Sequence, residues 1–508
     1  MTSRPLSNTP GHSDPLAHAV PAFGALLAVL LVGAPLAMLL LAAFRGPADY
    51  LPFEPGARFT LDNVVGVFAD PALITRILPD TLVFVAGTVT LTITIAFMLA
   101  WLMERTDLPA RGLWFALIVL PLLIPIPVIA IAWITLFGPN AGWANSAIRA
   151  MTGFSGQGPL DIFSMGGLII CQSFVTTPFV FLQFSATLRG MSPALEEAAA
   201  MAGATAFATF RRVTLPVLLP GLLAPLILLT LVTFEQFELP LIIGLPARLN
   251  IFAYRIYTEL NPASGLPNYG AACAISLPFL ALGIVALLLY NRAIRDAHRF
   301  VTVTGKGFRP QRLPLGKWKA PALAALSLYF VFGAVAPAAT LLWTSLFGFA
   351  PPGVAGFGDF SAAAYRTFLA NPLFWRALAN TFLVATDSAL IVAALGGLIA
   401  WTVARSNMPG RRALDFLSFL SLGVPAVIAA LAVMVLYLSL PIGIYGTIWI
   451  LVVAYSYRLA TATRLARARI AQISHELEEA AQMAGARWLA TQTRILAPLL
   501  MPALGAAF

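Results

Sequence analysis

Apolar residues in this chain gather into long runs separated by short polar segments. Each run is roughly 20 residues long, enough to cross a lipid bilayer as a helix. The pattern predicts spans near 20–44, 77–103, 113–137, 164–187, 217–244, 270–290, 321–346, 378–403, 413–438 and 446–464, and an eleventh that starts at Leu499 and runs to Phe508. Lipid offers no partner to an open backbone, so every span is expected to be a helix and the fold an all-α integral membrane one. The first run is too long for a secretory leader and lacks a cleavage pattern, so it is read as a retained span.

Composition sharpens this picture. Of 508 residues, 59% are hydrophobic and only 10% charged, against about a quarter charged in a soluble domain. The two cysteines, Cys171 and Cys273, lie inside apolar runs, which excludes a disulfide framework. His12, His18, His298 and His475 fall in tails or loops, without the spacing of a metal site. The formal charge of +10 would suggest nucleic acid in a soluble protein; in a membrane protein it belongs to cytoplasmic loops. With the N-terminus in the cytoplasm, the inner segments hold 22 Lys and Arg and the outer ones 8. That asymmetry supports a multi-pass protein with its N-terminus in the cytoplasm, with the lipid bilayer as partner and no nucleic acid.

The chain also repeats itself. Leu195–Ala204 reads LEEAAAMAGA and Leu477–Ala486 reads LEEAAQMAGA. Across 192–220 and 474–502, a shift of 282, 16 of 29 positions are identical. AWLMERTDLP at 100–109 matches AWTVARSNMP at 400–409 at a shift of 300, the difference falling in an outer loop that is shorter in the second copy. An even number of spans per copy makes this a parallel tandem repeat. The expected organisation is a cytoplasmic tail (1–19), a first transmembrane domain (20–290), a basic cytoplasmic linker (291–320) that sets orientation or meets anionic lipid, and a second transmembrane domain (321–508). The first copy has six spans. By that measure a complete pair would hold about 12 helices, with the last one and a half, about 64 residues, lying beyond Phe508.

The repeated decapeptide has a definite chemistry. Ser192 can cap a helix, Pro193 suits its first turn, and Glu196 and Glu197 sit at the positive end of the dipole. Ala198, Ala199 and Ala200 give a narrow face, and Gly203 suits a left-handed turn that ends the helix. Ser474, Glu478, Glu479, Ala480, Ala481 and Gly485 repeat the plan. Two like plugs suggest two like sockets, such as a symmetric dimer of a soluble partner would offer.

Glu196–Pro216, EEAAAMAGATAFATFRRVTLP, resembles the EAA loop of type I permease subunits of ABC importers; Ala497 replaces the expected Leu in the second copy. The resemblance covers nearly the whole chain. It implies that Glu196, Glu197, Ala198, Ala199 and Gly203, with Glu478, Glu479, Ala480, Ala481 and Gly485, form two coupling helices. It further implies a homodimeric nucleotide-binding ATPase and an extracytoplasmic substrate-binding protein as partners. ATP and Mg would sit on the ATPase. No cofactor is expected on this chain: Lys306, in TGKGF, is followed by no Ser or Thr and has no phosphate-binding loop around it. The chain is therefore expected to be a transport subunit rather than an enzyme.

The fused two-domain layout resembles ferric iron permeases, notably around Phe237–Tyr257 and Val301–Trp318. Thiamine, phosphonates and other small anions are alternative cargoes of the same architecture. An ion-coupled secondary transporter would also show repeats, yet has no use for twin EAA loops. Glu235 and Glu238 are expected on one face of the fifth span, with Asp387 in the middle of the eighth. They are candidates for the translocation pathway or for polar contacts between helices.

Overall fold

A computed structural model describes residues 15–191, 194–263, 265–297, 312–352, 354 and 356–507. The expected cap residues Ser192 and Pro193, and residues 298–311 of the basic linker with Lys306 among them, lie outside the described residues. The fold is all-α. Among the described residues only one short antiparallel strand pair occurs, Arg45–Gly46 with Arg58–Phe59.

Six helical segments are long and apolar enough to cross a membrane: Leu16–Ala43, Leu73–Arg105, Met165–Gly190, Tyr269–Ala293, Gly316–Phe347 and Pro372–Arg405. Three bent pairs raise the count to as many as nine among the described residues. Two of these correct the sequence reading, which took 113–137 and 413–438 as straight spans. Arg111–Leu123 meets Ile126–Phe137 at 97°, and Arg411–Gly423 meets Ala426–Ser439 at 114°. The cause is the same in both copies. Ile124 and Val424 are extended ahead of a proline, as the proline ring requires, and Pro125 and Pro425, each with ψ near 139°, start the next helix.

Two more spans are broken. The expected tenth divides into Trp449–Ser456 and Leu459–Ile470, with Arg458 at the break. In the fifth, the helix Leu215–Phe234 stops and the chain turns at Glu235 before resuming at Glu238. Glu235 and Glu238 therefore do not share one helical face as expected.

Prolines also explain a recurring widening of helices. All six π-turns among the described residues, Val29–Gly33, Leu73–Ile77, Phe210–Thr214, Pro240–Gly244, Val331–Val335 and Gln492–Leu496, precede a proline two residues on: Pro35, Pro79, Pro216, Pro246, Pro337 and Pro498. A proline cannot donate to the carbonyl four residues back, and its ring clashes with it; the wider turn accommodates both effects.

The helices pack into two compact units. One comprises Val65–Pro267 and Val285–Pro372, the other 15–64, Asn268–Ile284 and 373–507. In the first, helices Leu78–Arg105 and Met165–Gly190 lie side by side, joined by a hydrogen bond between the buried Thr92 and Thr176 hydroxyls (2.9 Å). Segment Gly316–Phe347 belongs to this unit: Tyr329 stacks on Phe174 at 5.5 Å between ring centres. In the second unit the opposite exchange occurs. The N-terminal span packs on Ala426–Ser439 and on Pro372–Arg405, where a Cβ at Gly24 would stand 2.6 Å from Leu398. Each unit thus contains the first span of the other sequence repeat. Tyr269–Ala297 also packs closely here, since any side chain at Gly283 would strike the carbonyl oxygen of Gly423.

Candidate functional site

Both repeated decapeptides form helices of eight residues, Ala194–Met201 and Glu476–Met483. Each ends as its sequence suggests. Gly203 and Gly485 adopt φ of +79° and +84°. The amide of the following residue reaches back to the helix, Ala204 N–H to Ala199 O at 3.0 Å and Ala486 N–H to Ala481 O at 2.9 Å. Those bonds satisfy carbonyls that the helix end leaves open.

The glutamates separate into two kinds. Glu196 and Glu478 turn inward, with side chains 21% and 7% exposed. Each faces an arginine at the end of a membrane helix: Arg105 Nε lies 3.6 Å from Glu196, and Arg405 Nε 3.2 Å from Glu478. The Thr214 hydroxyl also donates to Glu196 at 2.9 Å. The same guanidinium groups donate to main-chain carbonyls that precede the decapeptide helix, Arg105 to Leu188 O (3.1 Å) and Arg405 to Ile470 O (3.2 Å) and Ile473 O (2.5 Å). Removing one partner of a buried pair costs about 3–5 kcal/mol, because the other charge stays buried alone. Glu479, by contrast, is 65% exposed and pairs with the neighbouring exposed His475, at 3.1 Å. Glu197 is half-buried.

The outward face is apolar. Met201 and Met483 are 85% and 89% exposed, and Leu195, Phe207, Leu477 and Leu489 are exposed beside them. All six fall at matching positions of the two copies. Ala198 and Ala480 are exposed as well, whereas Ala199 is half-buried and Ala481 buried. Each copy therefore presents a small-residue ridge flanked by flexible apolar side chains. Adaptable methionines of this kind suit a binding surface.

The candidate pathway carboxylates do not form a cluster. Glu235 is half-buried at the helix break, Glu238 is exposed, and Asp387 is half-buried on Pro372–Arg405. Among the described residues no three His, Cys, Asp or Glu side chains are arranged to hold a metal ion. Sequence reading missed a different charged group, Arg458. It lines a cavity of about 920 Å³ together with Asn380, Thr381, Ser388, Thr447 and Tyr455. Its position inside an apolar run was the available signal, since ionisable groups within a span are costly.

Residues 92–298, which contain the first decapeptide, match the family described as binding-protein-dependent transport system inner membrane component. The chain carries the permease domain of the binding-protein-dependent ABC importers. This permease is 27% identical over 470 residues to a ferric transport system permease, FbpB, of Actinobacillus pleuropneumoniae, covering 89% of its own length and 64% of the relative's. It is 22% identical over 494 residues to an Fe(3+)-transport system permease, FbpB 2, of Haemophilus influenzae, covering 96% and 86%. A sulfate transport system permease, CysW, of Synechocystis is 31% identical over 195 residues, 37% of this permease and 66% of the relative.

Proposed function

We propose that this permease forms the translocation pathway of an inner-membrane importer for ferric iron, with its N-terminus in the cytoplasm. Its two decapeptide helices act as coupling helices, each seated on one subunit of a dimeric ATPase. An extracytoplasmic binding protein delivers the cargo, and ATP and Mg act on the ATPase subunits. The observation that carries this reading is the duplicated surface itself. Two helices expose the same alanine and methionine knobs and are anchored by the same arginine–glutamate pair. A matched pair of docking elements answers a partner with two equivalent sites. Ferric iron is favoured because two relatives that carry that name match across most of this chain. The sulfate relative matches only a part of it.

A second reading of the cargo, an oxyanion, draws on Arg458 among the hydroxyl and amide groups of its cavity. Uptake of labelled ferric iron and labelled sulfate by cells with and without the gene separates the two. Loss of iron uptake alone is the expected result; loss of sulfate uptake alone would move the cargo to the second reading.

A further inference from the structure

Arg105 and Arg405 each stand where three elements meet. Arg105 ends helix Leu78–Arg105, donates to Leu188 near the end of Met165–Gly190, and faces Glu196 on the first decapeptide helix. Arg405 ends Pro372–Arg405, donates to Ile470 at the end of Leu459–Ile470, and faces Glu478 on the second. The arginines correspond at a shift of 300 and the glutamates at 282. The same node is therefore rebuilt in three dimensions although the chain between its members has a different length in each copy. The neighbouring acidic charge is not repeated in this way. Glu104, which pairs with Arg189 at 2.8 Å, is matched by Ala404.

The contact has a particular geometry. Each arginine is fixed through its terminal nitrogen on carbonyl oxygens. Its Nε faces the carboxylate without completing a hydrogen bond, and Glu478 Oε1 is likewise without a hydrogen-bond partner. The attraction is that of two charges in a poorly screened place, strong but weakly directional. Such a contact keeps a helix attached while allowing it to tilt.

The geometry points to Arg105 and Arg405 as positioning residues that transmit force, each a pivot through which movement of a decapeptide helix reaches the ends of two membrane helices. This inference rests on the coupling role proposed above and extends it to residues outside the EAA loops. A plain anchor would hold the loop in place; a pivot is also required for the membrane domain to respond to nucleotide.

The test uses the complex of the permease with its ATPase subunits in proteoliposomes, with Thr447→Cys in the cavity as reporter. The native thiols, Cys171 and Cys273, are fully buried. Maleimide labelling of the reporter is compared without nucleotide and with vanadate-trapped nucleotide. The parent complex is expected to show a change of about tenfold in labelling rate, typical of coupled sites. Arg405→Gln, and the milder Glu478→Gln, are expected to remove the change while the ATPase subunits still co-purify, and Arg405→Glu with Glu478→Arg is expected to restore it. Single variants that keep the full response overturn the pivot. A parent complex that ignores nucleotide, or holds no ATPase subunit, overturns the coupling role and the pivot with it.

Discussion

At the scale of single residues, Gly203 and Gly485 show what the EAA pattern demands. Both lie in the left-handed region, and a Cβ at either would meet nothing within 4 Å. Substitution therefore carries a conformational cost of about 1–2 kcal/mol and no steric one. Asn, which tolerates this region, should retain more uptake than Ala or Val at both positions. Equal uptake by all three variants would show that the turn is not needed. For the candidate pathway carboxylates, Glu235→Gln and Glu238→Gln are expected to lower ferric uptake at unchanged membrane abundance; wild-type rates would assign both groups to helix packing. The sequence separated these cases unevenly. The glycines were legible because few other residues suit a left-handed helix end. The different orientations of Glu478 and Glu479 were not, since they depend on Arg405, which comes from a distant part of the chain.

At the scale of elements, proline position governs shape. The Leu-Pro that closes the EAA pattern has a structural meaning here. Pro216 and Pro498 each follow a π-turn that joins the decapeptide region to the next helix. Replacing either by Ala would allow an ordinary α-turn and rotate the following helix against its neighbours. Pro216→Ala is expected to cut uptake several-fold, with the protein still present in the membrane; unchanged uptake would show the turn to be incidental. Most spans were legible, since a run of some 20 apolar residues is a strong signal. The bends at Pro125 and Pro425 were not, because apolar residues continue through them and hydropathy averages across the break. The break at Glu235 was hidden in the same way, by the apolar residues on both sides.

At the scale of the whole molecule, the duplication is visible in the sequence, but the exchange of first spans between units is not. A helix that is apolar all round carries no mark of which neighbour it packs on. The contacts of Gly24 with Leu398 and of Tyr329 with Phe174 reveal it. The twin docking surfaces are the central claim, and the ATPase content of the purified complex tests it most directly. Native mass spectrometry is expected to find two ATPase subunits for each permease chain, with Met201→Glu and Met483→Glu together releasing both. A complex that keeps its ATPase subunits when both methionines are replaced, or that never holds two, would contradict the account.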